Sequence, residues 1–199
     1  MCGISGGIGA SAPSKQLLDA QLKSIEHRGP DDTGTYLNQG ISLGMCRLAI
    51  VEVAAGKQPA SDASEKIQIV WNGEIYNYKD IKKSLISKYD FKSGSDCEVL
   101  LPLYDELGVD MFSTLDAEFA IVLYDKAKNT LVAGRDPLGI RPLFYGYLKS
   151  SNKIVFSSEV KAISHLVDFA HPFPPGHYYI DGKFIEFQKL YIKKNLHNC

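Results

Sequence analysis

Cysteine occupies position 2 of this 199-residue chain, in the run Met1-Cys2-Gly3-Ile4-Ser5-Gly6-Gly7-Ile8. Methionine is commonly trimmed when its neighbour is small, and trimming here leaves one residue with both a thiol and a free α-amine. An α-amine ordinarily has a pKa of roughly 7.7–8.0, close to the ordinary cysteine thiol at about 8.5. Nucleophile and general base then share a residue and need no histidine, an arrangement suited to attack on an amide carbonyl. A retained Met1 would turn that amine into a peptide nitrogen and leave the thiol without its base. A cysteine at position 2 can also be incidental, so the other polar groups must be weighed with it.

Four further constellations carry polar chemistry that packing does not call for. Arg47 lies late in the apolar run Met45-Cys46-Arg47-Leu48-Ala49-Ile50. An arginine there needs an acidic partner or a ligand carboxylate, which its planar fork binds at two points. Asn72-Gly73-Glu74 follows a strand expected to end at Trp71. Glycine lets a backbone approach a ligand closely, and an asparagine amide can donate beside a backbone N–H. Two such donors are what a developing oxyanion requires, although Asn-Gly is also a common turn. Asp96 opens a predicted helix, where a carboxylate suits the positive end of the dipole. His27-Arg28-Gly29-Pro30-Asp31 reads equally well as a helix stop with a basic last turn.

The elements that would position these groups are mostly short strands. Gly3 to Ile8 reads as a buried strand, and Leu18, Leu22 and Ile25 recur at helical spacing over residues 14–26. Thr35 to Leu37 and Ile41 to Leu48 form a hairpin around Asn38-Gln39-Gly40, and Ile67 to Trp71 alternates as a strand. Tyr78, Ile81 and Leu85 predict a helix ending near Lys88. Ser95 with Glu98 forms a capping box for a second helix that Pro102 should kink and Gly108 ends. Phe119 to Tyr124, Thr130 to Gly134, Pro142 to Tyr147 and Lys153 to Phe156 are strand-like, and Glu159 to Ser164 suits a short helix. Tyr178 to Ile180 and Phe184 to Phe187 flank Asp181-Gly182, a type I′ turn signal. His171 to Gly176 reads as a Pro-rich turn. Strands in the majority, with helices grouped rather than alternating, predict an α+β fold of mainly antiparallel sheets.

Composition sets the frame. The chain is long enough for one sizeable core, and 45% hydrophobic with 23% charged residues is ordinary globular usage. A net charge of −1 gives no reason for nucleic acid or an anionic membrane as partner. No apolar stretch nears the ~18 residues of a spanning helix, and the start lacks a signal-peptide pattern, so a cytoplasmic location is expected. Cys2, Cys46, Cys97 and Cys199 show no metal-site spacing, and the five histidines are scattered; no metal is assigned. Cys46 and Cys97 sit in apolar runs and read as buried thiols.

Taken in order, MCGI, HRGPD, RLAIV, NGEIYN, SDCE and GRDPLGIRPLFY, with Phe156-Ser157-Ser158-Glu159-Val160-Lys161-Ala162 and the Phe-Pro-Pro-Gly turn, carry a resemblance over nearly the whole chain. The chain resembles the glutamine amidotransferase domain of glutamine-dependent asparagine synthetases, of the class II or N-terminal-nucleophile type. MCGI and the Arg-Gly elements are common to class II enzymes. The Pro-Asp ending of HRGPD, NGEIYN and SDCE resembles the asparagine branch in particular.

The resemblance implies a four-layer αββα sandwich over residues 2–190, with 191–199 a tail or the start of a following domain. It implies that Cys2 attacks the carboxamide of glutamine while its α-amine moves the proton, and that Asn72 and the Gly73 N–H form the oxyanion hole. Arg47 would hold the α-carboxylate, Glu74 and Asp96 the α-ammonium, with backbone groups around Leu48 and Ile50 completing the pocket. Ammonia would pass to an ATP-dependent synthetase domain or subunit that makes asparagine from aspartate. That partner would use ATP and Mg; no cofactor is expected in this chain. No SGGxDS-like segment is present (Ser5-Gly6-Gly7 lacks the Asp-Ser), nor a GxxxxGK. The chain alone should therefore hydrolyse glutamine without adenylating aspartate, as an excised domain or a separate subunit. Two alternatives stay open: a glutaminase feeding another acceptor, and an amidotransferase-like binding module without turnover. A homodimer also stays open. A papain-like protease is set aside, because no CGSCW-like context surrounds Cys2.

Overall fold

The computed structural model describes residues 1–8, 15–38, 40–48 and 57–189. Two six-stranded sheets form the body, and every pairing in them is antiparallel. The first contains β1 (Gly3–Ile8), β2 (Asp32–Asn38), β3 (Ile41–Arg47), β8 (Phe144–Leu148), β9 (Ile154–Ser157) and β10 (Val167–Pro172). Its order is β10-β8-β9-β1-β3-β2, so the N-terminal strand lies inside the sheet. The second contains β4 (Ala60–Ser61), β5 (Ile67–Ile75), β6 (Ala117–Asp125), β7 (Thr130–Arg135), β11 (His177–Ile180) and β12 (Lys183–Glu186), in the order β12-β11-β7-β6-β5-β4.

Period-2 alternation explains how the sheets stack. On β6, Ala120, Val122 and Tyr124 join Val70 of β5 and Ile4, Leu43, Met45 and Phe156 of the first sheet in one buried cluster between the sheets. Phe119, Ile121 and Leu123 point the other way, onto helices α2 (Tyr78–Leu85) and α3 (Leu100–Leu107) through Ile81, Leu85, Leu100, Leu103 and Tyr104. Helix α1 (Lys15–Ser24) covers the outer face of the first sheet with Leu18 and Leu22 against Cys46. The result is the expected four-layer αββα sandwich. No helix among the described residues is long and apolar enough to cross a membrane.

Local expectations hold where both faces of a strand are buried and fail where a distant group intervenes. The hairpin turn has the two positive φ values of type I′, 48° at Asp181 and 82° at Gly182. Strand β5 runs four residues beyond Trp71, so Asn72, Gly73 and Glu74 are strand residues paired with Ala120, Phe119 and Glu118, and not a turn. The Ser95–Glu98 capping box does not form. Ser95 makes no side-chain cap, and Glu98 instead accepts from the Lys92 and Ser93 N–H groups and pairs with Lys82. Residues 96–99 are a 3₁₀ turn, so α3 starts only at Leu100. Pro102 thereby falls in its first turn, where a missing N–H costs nothing. Helix α2 stops at Leu85, and only Val160–Ala162 of the expected 159–164 helix forms, as a 3₁₀ turn. The supposed Pro-rich turn begins inside β10, a strand the sequence did not announce. Ser14, Gln39, Ile50 and Cys199 lie outside the described residues, as does the expected tail 191–199.

One ring ties the outer layer to the second sheet. Phe112 is fully buried in a 3₁₀ turn (Gly108–Thr114) and stacks on Phe119, Tyr178 and Phe187 at centroid distances of 5.8, 5.6 and 5.7 Å. It lies so close to β7 that a Cβ on Gly134 would strike its edge. Phe112→Ala should cost about 3–5 kcal/mol, the usual range for deleting a buried phenylalanine. Urea unfolding measures this; a loss below about 1 kcal/mol would show that the ring cluster does not hold the layers together.

Candidate active site

A cleft of about 650 Å³ opens at one end of the sandwich, a size ordinary for a small-molecule site. Cys2, Arg47, Leu48, Asn72, Gly73, Glu74 and Asp96 all line it. Ile50, the remaining expected site residue, lies outside the described residues.

The first sheet supplies the wall that carries Cys2. Cys2 immediately precedes β1, whose pairing with β3 starts at Gly3 opposite Cys46. Its Sγ lies 3.5 Å from the backbone N of Leu48, just past the end of β3. Arg47 is the last residue of β3 and is 8% exposed. It shares the inward face with Met45, while Cys46 points outward and donates to the Leu22 carbonyl at 3.3 Å. Burial pushes the Cys46 thiol upward and the Cys97 thiol well above its ordinary value, which keeps both protonated. Their reading as buried structural thiols stands, although Cys97 also reaches the cleft.

The second sheet supplies the donor wall. Asn72 is 3% exposed, and its Nδ2 is buried without a hydrogen-bond partner. A buried amide N–H left unpaired costs free energy, so this donor marks a place where an acceptor belongs. The Gly73 N–H follows from the ladder. The Phe119 N–H and C=O both turn away from β5 to bond Asp136, so Gly73 opposite Phe119 is a non-hydrogen-bonded pair. Its N–H therefore lies on the edge of β5 that faces away from β6. Two flanking N–H groups on that edge are already taken: Trp71 donates to Gln58 Oε1 at 2.8 Å and Ile75 to Asp96 Oδ2 at 2.7 Å. Strand β4 covers β5 only at Gln68 and Ile69. The absence of a Cβ at Gly73 serves β6 and not a ligand, because a side chain there would strike the Glu118 carbonyl.

Charge is arranged around this pair of walls. The bond from Ile75 fixes the Asp96 carboxylate at the rim. Glu74 and Glu118 stand directly opposite on neighbouring strands, a like-charge pair that would repel. Arg141 lies between them, 2.5 Å from Glu118 and 4.0 Å from Glu74. The loop carrying it is tied to Asp136, whose carboxylate accepts the N–H groups of Leu138, Ile140 and Arg141. Among the described residues no group of three or more His, Cys, Asp or Glu could hold a metal.

Three lining or neighbouring residues were not anticipated. Gln58 reaches the cleft from a context that carries no local signal, and Arg141 from the GRDPLGIRPLFY run, where nothing singles it out from its neighbours. Arg28, read as part of a helix stop, instead donates from Nε to the Cys2 carbonyl at 3.0 Å and from Nη1 to Glu159 at 3.1 Å. Gly29 after it passes so close to β3 that a Cβ would meet the Cys46 carbonyl.

The chain is similar to known proteins over nearly its whole length. The family model for the glutamine amidotransferase domain matches residues 1–176. A probable glutamine-hydrolysing asparagine synthetase of Dictyostelium discoideum is 40% identical over 196 residues, spanning 96% of this chain and 35% of that protein. The corresponding protein of Schizosaccharomyces pombe is 42% identical over 186 residues, spanning 90% and 33%. Asparagine synthetase 2 of Bacillus subtilis is 38% identical over 180 residues, spanning 88% and 23%. The chain thus spans about a third or less of these curated relatives. Among solved structures, the allosteric regulatory enzyme of purine biosynthesis superposes with a TM-score of 0.79 at 22% identity, over 94% of this chain and 49% of that one. The glutamine phosphoribosylpyrophosphate amidotransferase of B. subtilis gives 0.76 at 21%, with the same coverage. These two share the fold. With the family model covering most of its length and relatives near 40% identity, the chain belongs to the glutamine amidotransferase domain family.

Proposed function

We propose that this chain hydrolyses glutamine to glutamate and ammonia through a thioester on Cys2, and supplies the ammonia to an ATP-dependent synthetase domain or subunit that converts aspartate to asparagine. The observation that carries the reading is the buried, unpartnered Nδ2 of Asn72 in the cleft that also holds Cys2. The relatives named above, glutamine-hydrolysing asparagine synthetases in which this chain matches one segment, support the choice of acceptor.

In the proposed reaction the free α-amine of Cys2 takes the thiol proton as sulfur attacks the carboxamide carbon. The carbonyl oxygen becomes an oxyanion held by Asn72 Nδ2 and the Gly73 N–H. The intermediate collapses, the C–N bond breaks, and the protonated α-amine gives its proton to the departing ammonia. Water, deprotonated by the same amine, attacks the thioester; glutamate leaves and the thiol is restored. Arg47 holds the α-carboxylate, Asp96 and Glu74 hold the α-ammonium, and backbone groups near Leu48 and Ile50 line the pocket. The reaction is assigned to the cytoplasm.

Three outcomes test this. Protein whose N-terminal residue is shown by mass spectrometry to be Cys2 should release glutamate from glutamine, whereas Met1-retaining protein and Cys2→Ala should not. Equal rates with and without Met1 would remove the α-amine from the mechanism. Asn72→Ala should lower kcat by about 10²–10³ with little change in KM, the usual effect of losing one oxyanion donor. A loss confined to KM would move Asn72 out of the oxyanion hole. Arg47→Lys keeps the charge but loses the two-point fork, so KM for glutamine should rise about tenfold or more with a smaller change in kcat. An unchanged KM would send the α-carboxylate elsewhere.

A further inference from the structure

Cys2 has a positional problem that the catalytic groups do not solve. The β1 ladder begins one residue later, and Gly3, which adds no side chain, is the link between them. Rotation about that link would swing the thiol across the cleft. The structure supplies restraint from a segment more than 150 positions away. Past the last β1–β9 pair, Ser5 with Ser157, the Ser158 N–H donates to the Ile4 carbonyl at 2.9 Å and Ser158 Oγ accepts the Ile4 N–H at 2.9 Å. Ser157 Oγ adds a bond to the same carbonyl at 3.3 Å, and both serines are fully buried. The next residue, Glu159, accepts from Arg28 Nη1 at 3.1 Å, and Arg28 Nε holds the Cys2 carbonyl at 3.0 Å. The Arg28 stem lies over Gly3, where a Cβ would sit 3.3 Å from its Cδ.

Glu159 is built to stay charged in this position. Burial by itself would raise its carboxyl, but hydrogen bonds from Arg28, Lys161 and His27 outweigh that and bring it below the ordinary glutamate value. The His27 and Lys161 contacts are at 2.9 and 3.2 Å, from side chains that are half exposed, whereas Arg28 is only 10% exposed. An arginine aimed from such a buried site needs a fixed anion to set its direction, since its five donors would otherwise find other acceptors.

We infer that Ser157-Ser158-Glu159 is a bracket that fixes the nucleophile, with Glu159 a positioning residue acting through Arg28 on the Cys2 carbonyl. The kinetic part of this rests on the glutaminase reading; the structural part does not. Glu159 touches no reacting atom, and its effect is on where the sulfur and α-amine stand relative to the oxyanion donors. Misplacement of that kind falls on kcat, while the Arg47 and Asp96 contacts that hold substrate are left in place.

The test uses Glu159→Gln and Glu159→Asp in protein with Cys2 N-terminal, reading kcat and KM for glutamine, the melting temperature, and hydrogen–deuterium exchange over residues 2–8. Glu159→Gln should lower kcat by about 10²-fold with KM within about threefold, and the amides after Cys2 should exchange faster. Glu159→Asp, which keeps the charge, should recover part of the loss. Unchanged kcat and exchange would overturn the bracket. So would parallel losses in kcat, KM and melting temperature that Asp fails to relieve, since those mark mere fold support. If the wild type makes no glutamate, faster exchange in Glu159→Gln upholds the bracket while the glutaminase reading falls. Should Glu159→Gln not fold, Glu159→Asp is read alone: a partial loss in kcat at constant KM upholds the inference and none overturns it.

Discussion

Cys2, the nucleophile of the proposed reaction, must be held firmly if it is to face fixed donors. This molecule meets that constraint by placing β1 between β3 and β9, inside the first sheet. Ile4 is then buried in the layer between the sheets, and Ser5 beneath α1 beside Gln21. An interior strand needs cover on both faces, and that requirement accounts for the layered plan. One face receives α1, and the other receives the second sheet, which in turn needs α2 and α3 on its far side. The fold reads as the set of packing consequences that follow from burying the first strand.

The two sheets then divide the work of the cleft. The first carries Cys2 and the end of β3 with Arg47; the second carries the donors on β5. An open strand edge is usually a hazard, because its unpaired N–H groups invite another strand. Among the described residues the β5 edge beyond Ile69 is closed by side chains and not by a strand, with Gln58 on the Trp71 N–H and Asp96 on the Ile75 N–H. Closure on either side leaves the Gly73 N–H between them, beside the Asn72 amide. The carboxylate expected to serve at a helix N-terminus is thus also a structural clamp on the strand that carries the donors.

How much of this was legible depended on sequence distance. Strands such as β6, buried on both faces, appear as continuous apolar runs, and the Asp181-Gly182 turn announces itself through local backbone preference. The end of β5 did not, because Asn-Gly-Glu has turn-like composition and becomes strand only through its pairing with β6. Glu98 matched a capping box but was recruited by Lys82, Lys92 and Ser93, a tertiary contact that outweighs local preference. Strand β10 is an edge strand with a register shift between Val167 and Ala170, and its alternation is broken accordingly. In the site, the residues that could do chemistry could be picked out by type and context. Arg28 could not, because what distinguishes it from a helix stop is Glu159, 131 positions away.

The placement of charge argues for the kind of glutamine this cleft would take. In the proposed reaction the cation of Arg47 comes from the first sheet, and the anions Asp96 and Glu74 come from the second, with the carboxamide between. A free amino acid presents a carboxylate and an ammonium together and can answer both. A glutamine inside a peptide presents neither, so it would forgo both of these ionic contacts. Sites built on hydrogen bonds to a substrate group reject analogues lacking that group far more strongly than apolar pockets reject a change of size. Arg141 fits the same logic. By holding Glu118 at 2.5 Å it offsets the repulsion between Glu118 and Glu74, and so allows a second carboxylate to stand at the rim where the ammonium would arrive. Discrimination against protein-bound glutamine would thus come from charges fixed by the two sheets, and not from the shape of the cleft.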